Sequence, residues 1–119
     1  MNLAKIFDDA HLAGENAFNT VVPTPMTVVG GGERYYVPDG ACGFAWCTIY
    51  KIEGKKIRAG TKLAKELESY GFRKSYSGGF QKWDHHATQS VARKEAYMDA
   101  FAKVLRAYGI EAYADSRLD

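Results

Sequence analysis

Residues 90–113 constrain the fold of this chain more than any other stretch. After Ser90, the residues Tyr97, Met98, Phe101, Val104, Leu105 and Tyr108 recur every three or four positions; Gly109 follows, then Ile110 to Tyr113. That recurrence puts the apolar side chains on one stripe of a helix. Ser90 can accept from the free amides of the first turn and is the expected N-cap. Gly109 adopts positive φ without steric cost and is the expected stop. Arg93, Lys94, Lys103 and Arg106 fall mostly off the stripe and read as solvated. The segment after Gly109, with Tyr113 and Leu118, reads as a strand laid into a sheet.

The rest of the chain fits the same architecture. Leu3, Ile6, Phe7, Ala10, Gly14, Ala17 and Phe18 share one helical face. Gly14 inside that helix costs up to about 1 kcal/mol relative to alanine, which a close crossing with another element would explain. Met26–Val29 and Arg34–Val37 read as strands joined by Gly30-Gly31-Gly32, with a turn at Pro38-Asp39-Gly40. Cys42 to Tyr50 reads as a central strand. Its Phe44/Trp46/Thr48/Tyr50 face and its Gly43/Ala45/Cys47/Ile49 face are both apolar or small, so coverage on both sides is expected. Glu53-Gly54-Lys55 is a turn, residues 61–70 are a short helix stopped by Gly71, and residues 72–83 are a hairpin turning at Ser77-Gly78-Gly79. The order is α-β-β-β-α-β-β-α-β. The expected fold is α+β, a single sheet of about five to six short, mostly antiparallel strands packed by three helices.

With 119 residues and 46% hydrophobic content, the chain forms one domain, residues 1–119, and can build a core without disulfides or a metal. No apolar run reaches the roughly 18 residues of a membrane span. Asp8, Asp9 and Glu15 with no apolar segment argue against a signal peptide. Cys42 and Cys47 read as free thiols in a reducing compartment, and their spacing is not that of a zinc site. No cofactor and no metal are expected. Gly30-Gly31-Gly32 lacks the Gly-Lys-Ser/Thr ending of a phosphate loop.

Two constellations bear on chemistry. Asp84-His85-His86 reads as an exposed polar loop; with Cys47 it is also a weak candidate for a Cys/His catalytic site. The net charge of +2 hides a basic middle, because residues 51–82 hold nine Lys or Arg against three Glu. Aromatic and basic residues interleave there, which is the composition of a single-strand binding surface. Its candidate contacts are Lys55, Lys56, Arg58, Arg73, Lys74, Tyr76, Lys82 and Trp83, with Tyr35, Tyr36 and Phe72 as further rings. The competing reading is that these rings fill the core while the charges alternate outward. Sixteen aromatic residues are many for a domain of this size, so some should be exposed, as at protein interfaces.

Gly40-Ala-Cys-Gly-Phe-Ala-Trp46, Gln89-Ser-x-x-Arg-Lys-x-Ala-Tyr97 and Gly109-Ile-x-Ala-Tyr113 with Ser116-Arg-Leu-Asp119 resemble a group of small uncharacterised bacteriophage-encoded proteins over residues 20–119. The resemblance implies a phage setting, in the host cytoplasm or associated with the virion. It names no catalytic residue. The function expected first is a non-enzymatic accessory protein that binds a protein partner or itself. The alternative is nucleic-acid binding through residues 51–83, and the second alternative is a small Cys/His enzyme. Arg93 or Arg117 is expected to pair with Asp115 or with the Asp119 carboxylate.

Overall fold

The computed structural model describes residues 1–37 and 40–119; the side chains of residues 28, 30, 33, 35 and 37 are outside what it describes. The turn expected at Pro38-Asp39-Gly40 and the ring of Tyr35 therefore lie wholly or partly outside the described residues. The elements are α1 (Leu3–Thr20), β1 (Met26–Gly30), β2 (Glu33–Val37), β3 (Gly43–Ile52), β4 (Lys55–Lys56), α2 (Lys62–Ser69), β5 (Arg73–Lys74), β6 (Phe80–Trp83), α3 (Val91–Ala107) and β7 (Ile110–Leu118). The order is the one read from the sequence, with the two-residue β4 added after the turn expected at Glu53-Gly54-Lys55, and the class is α+β.

Local chemistry sets the helix ends. Asn2, Thr61 and Ser90 each accept from a first-turn amide of α1, α2 and α3. Gly71 (φ +94) and Gly109 (φ +85) follow the C-caps of α2 and α3. Gly14 marks the crossing of α1 and α3: a Cβ there would lie 2.6 Å from the ring of Tyr97.

Five strands make the main sheet, and β3 is its spine. On one side β7 runs antiparallel along it, from Gly43↔Leu118 to Ile52↔Ile110. On the other side β6 pairs with Trp46–Ile49 and β4 with Lys51 and Ile52, and β5 extends the sheet beyond β6. The hairpin β1–β2 is a separate two-stranded sheet. With it, the molecule is elongated, 56 × 28 × 20 Å. Pairing is antiparallel throughout.

The core lies on one side of the main sheet. Ala45, Cys47 and Ile49 of β3 and Ile110 and Ala112 of β7 are at most 1% exposed. Against them pack Met98, Phe101, Ala102 and Leu105 of α3, then Leu3, Ile6, Phe7 and Ala10 of α1, with Ala64, Leu67 and Phe72 at the flank. Small residues on β3 let α3 approach closely; a Cβ at Gly43 would collide with the Arg117 carbonyl and come within 2.8 Å of Val91.

The coverage expected on both sides of the central strand is helical on one side only. On the second face Phe44, Trp46, Trp83 and Arg117 pack together, Tyr50 meets Tyr113, and Lys94 and Arg106 of α3 reach the rings of Phe44 and Tyr113 from the edge. Aromatic packing, and not a second helical layer, accounts for the apolar pattern of that face. Among the described residues, no helix is long and apolar enough to cross a membrane.

Candidate functional site

Strand register places the site. Residues alternate between faces of a strand, so Phe44, Trp46, Thr48 and Tyr50 of β3 share the open face with Gln81 and Trp83 of β6. Their cross-strand partners put Tyr113, Asp115 and Arg117 of β7 beside them. A β-bulge between Ile49 and Lys51 shifts the alternation by one. Lys51 therefore joins this face too, opposite Glu111 on one side and Lys56 on the other. The strand residues of the face include five aromatic rings and no aliphatic side chain.

The rings form two groups. Trp46 stacks on Trp83 with centroids 4.6 Å apart, and Phe44 meets Trp83 edge-on at 6.0 Å. The Arg117 guanidinium lies 5.4 Å from the Phe44 centroid and 5.6 Å from that of Trp83. Further along, Tyr50 and Tyr113 face each other at 6.4 Å and a 47° tilt. They are 42% and 52% exposed, so both are available to a ligand. Arg117 thus serves the rings: among the described residues no ion pair joins it to Asp115 or Asp119, one of the two pairings expected for the tail. Backbone pairing holds the tail, through Leu118 opposite Gly43 and Asp119 N–H donating to the Cys42 carbonyl at 3.0 Å.

The expected nucleic-acid contacts divide among several places. Arg73, Lys74, Tyr76 and Trp83 line one cavity of about 330 Å³ with Gln81 and His85. Lys55, Lys56 and Arg58 line another of about 320 Å³ beside β4. Arg73 also donates to the Glu68 carbonyl at 2.9 Å, at the end of α2. Lys82 is misplaced by the sequence reading. It alternates to the helix side, where its ammonium lies 5.7 Å from the Phe101 ring and burial lowers its pKa, partly offset by Cys47 and Asp84. Phe72 is fully buried in the core, and Tyr36 sits exposed on the β1–β2 hairpin.

Cys47 and the histidines are not brought together as a catalytic pair. Cys47 is fully buried on the helix side, and burial pushes its thiol up to about 12, so it holds its proton at neutral pH. His86 is engaged elsewhere. Its Nδ1 lies 2.5 Å from Asp84 Oδ1 and its Nε2 2.6 Å from Glu15 Oε1, and its ring stacks on Phe18 at 4.1 Å. Burial alone would lower its pKa; the bonds and charges of Asp84 and Glu15 outweigh that and raise it. A neutral imidazole has one N–H; with both carboxyl groups ionised, the two contacts are satisfied together only by the imidazolium. Tyr97 completes the cluster, edge-on to His86 at 4.8 Å and bonded to His11 Nδ1 at 2.7 Å. Burial, with the charges of Asp84 and Glu15, raises the Tyr97 pKa.

The loop 84–89 is thus not the solvated loop expected. The Asp84 side chain is fully buried, and only His85, Ala87 and Gln89 are exposed. Lys94 is a second residue misjudged from sequence. It is 6% exposed, donates to the Gly43 carbonyl at 3.1 Å and lies 5.4 Å from the Phe44 ring. It stands three, four and seven residues before Tyr97, Met98 and Phe101, on the apolar stripe itself, and close approach to Gly43 gives its ammonium a carbonyl and a ring. Among the described residues, no group of three His, Cys, Asp or Glu side chains could hold a metal ion.

Compared with known proteins, the chain matches no family model, no curated protein and no solved structure.

Proposed function

We propose that this chain is a non-enzymatic binding protein that holds single-stranded nucleic acid across the open face of its main sheet, in the phage setting its sequence motifs imply. The observation that carries this reading is the composition of the face, aromatic rings with flanking cations and no aliphatic side chain on its strands. Aromatic rings with arginine also mark protein interfaces, so salt-dependent oligonucleotide binding separates the two readings. Flat rings suit unpaired bases, which stack on them regardless of sequence, and the cations neutralise phosphates. Arg117, Lys51 and Lys56 lie on the face, and Arg73 and Lys74 border it. The buried thiol of Cys47 and the fully bonded His86 supply no nucleophile and base for the enzyme alternative.

Both tryptophans of the chain, Trp46 and Trp83, lie on this face, so intrinsic emission reports on it directly. Titration with single-stranded oligonucleotides should quench that emission with micromolar affinity that weakens steeply as salt rises. An unchanged spectrum and flat oligonucleotide anisotropy at low salt would remove the reading.

One observation favours the protein-partner alternative. The β1–β2 hairpin exposes Val29 and Tyr36, each 68% accessible, and pairs with no other strand. Isolated two-stranded sheets are marginal in water. Sedimentation velocity on the wild-type chain and on a Val29→Ser/Tyr36→Ser variant tests whether the hairpin mediates self-association; a monomer in both cases counts against it.

A further inference from the structure

We infer that the cleft between Tyr50 and Tyr113 is a site for one nucleotide unit, its base between the two rings and its phosphate between Lys51 and Lys56. The inference deepens the proposed single-strand reading and rests on it for the identity of the natural ligand. The cleft has a volume of about 400 Å³ and is walled by Tyr50, Tyr113, Lys51, Lys56, Ile57, Glu111 and the Gly78-Gly79 turn. That volume falls within the range of small-molecule sites, about 300–1,000 Å³.

Its geometry suits a base. A planar base between two rings needs a separation of roughly 7 Å, two contacts of about 3.5 Å. The tyrosines stand 6.4 Å apart and tilted by 47°, so the two exposed rings must turn parallel and move slightly apart to admit one. Tyr50 holds its position because of the bulge, a device that re-aims side chains. Gly79 (φ +73) braces it from behind, since a Cβ there would lie 2.7 Å from the Ile49 carbonyl and 3.2 Å from the Tyr50 ring.

Its charge suits a phosphate. Lys51 and Lys56 are directly opposed cross-strand partners. Like charges in that position destabilise a sheet unless an anion lies between them. Glu111 faces Lys51 from β7, but among the described residues neither lysine nor Glu111 is in an ion pair. A phosphate relieves the lysine pair, and Glu111 remains as an acceptor for a ribose hydroxyl or a base amino group.

The test uses the whole chain, amide-resolved NMR titrations and three probes: adenosine 5′-monophosphate, adenosine and inorganic phosphate. The monophosphate should move the amides of Tyr50, Lys51, Lys56, Gly79 and Tyr113, and bind at least about tenfold more tightly than adenosine or phosphate alone. Tyr113→Ala should weaken both the mononucleotide and a single-stranded oligonucleotide at least about fivefold, the lower end expected for one stacked base. Lys56→Gln should reduce the salt slope of oligonucleotide binding by about one. Phosphate binding as tightly as the nucleotide, or amide shifts confined to other regions, overturns the inference. If Trp83→Ala weakens oligonucleotide binding while Tyr113→Ala and Lys56→Gln leave it unchanged, the cleft is excluded and the open-face reading survives. If no oligonucleotide binds but the monophosphate still moves the cleft amides, the cleft stands as a free-nucleotide site and the strand reading falls.

Discussion

The two faces of β3 are built on opposite plans. On the helix side Gly43, Ala45 and Cys47 are small, and the large residues are Ile49 and, past the bulge, Ile52; all are buried on the core side of the sheet. On the other side Phe44, Trp46 and Tyr50 are large and flat, partly open, and interleaved with Thr48. Small residues bring a helix backbone close and exclude water, so that side yields stability. Wide rings with cations above them leave π-faces and charge accessible, so that side is the candidate binding surface. One strand thus carries the strongest packing in the molecule and its best candidate site, a residue apart.

The sharpest way to break the contrast is to remove a ring from each side. Phe101→Ala on the helix side should cost about 3–5 kcal/mol in urea unfolding, the usual range for a fully buried phenylalanine. It should leave nucleic-acid affinity of the folded fraction unchanged. Gly14→Ala comes next. Alanine favours the helix by about 1 kcal/mol, but its Cβ would meet the buried Tyr97 ring, whose hydroxyl is held by His11. Overpacking of about 1–3 kcal/mol wins, so thermal denaturation should show a net loss.

Trp83→Ala on the open face should cost only about 1 kcal/mol of stability, the scale of an aromatic pair on a half-open surface. It should weaken oligonucleotide binding at least about fivefold. A stability loss as large as that of Phe101→Ala, with binding intact, would erase the distinction between the faces.

His86 tests whether α1 is held onto the loop beside the open face by a proton. Its folded pKa is raised above the ordinary 6.5, so its contribution is full below that value and is lost as pH rises through the folded pKa. The groups around it are Glu15 and His11 on α1, Asp84 and His85 on the loop, Lys82 on β6, and Arg93, Lys94 and Tyr97 on α3. The melting temperature of the wild type should exceed that of His86→Gln most at pH 6 and least at alkaline pH. Equal pH profiles for the two proteins would show that the ring contributes no linked proton.

The smallest effect concerns β4, which carries Lys56 to the face. Its hairpin turn places Glu53 at φ +52, a conformation that asparagine tolerates better. Glu53→Asn should raise stability by about 0.5 kcal/mol or slightly more and leave the cleft intact, as read by thermal unfolding and nucleotide titration.

The sequence was legible where structure is local. Ser90 and Gly109 bound α3 because capping and positive φ depend on a residue and its immediate neighbours. The close approaches at Gly14 and Gly43 were also foreseeable, since a missing side chain in a regular element marks contact. Lys82, Lys94 and Asp84 were misjudged because charge says nothing of which face an element turns to its neighbours. The Tyr50–Tyr113 cleft had no signal at all, because its tyrosines come from strands 63 residues apart whose pairing includes a bulge.

By itself, then, the sequence determined the order of elements, their caps and turns, and the aromatic, basic character of the middle of the chain. These follow from backbone propensity and side-chain periodicity, which act over a few residues. The tertiary structure alone decided that β7 lies against β3, that helices cover one side of the sheet only, and that His86 is shared between Asp84 and Glu15. Each of those depends on long-range packing, where the burial of one face against α3 fixes the direction of every other side chain on the strand.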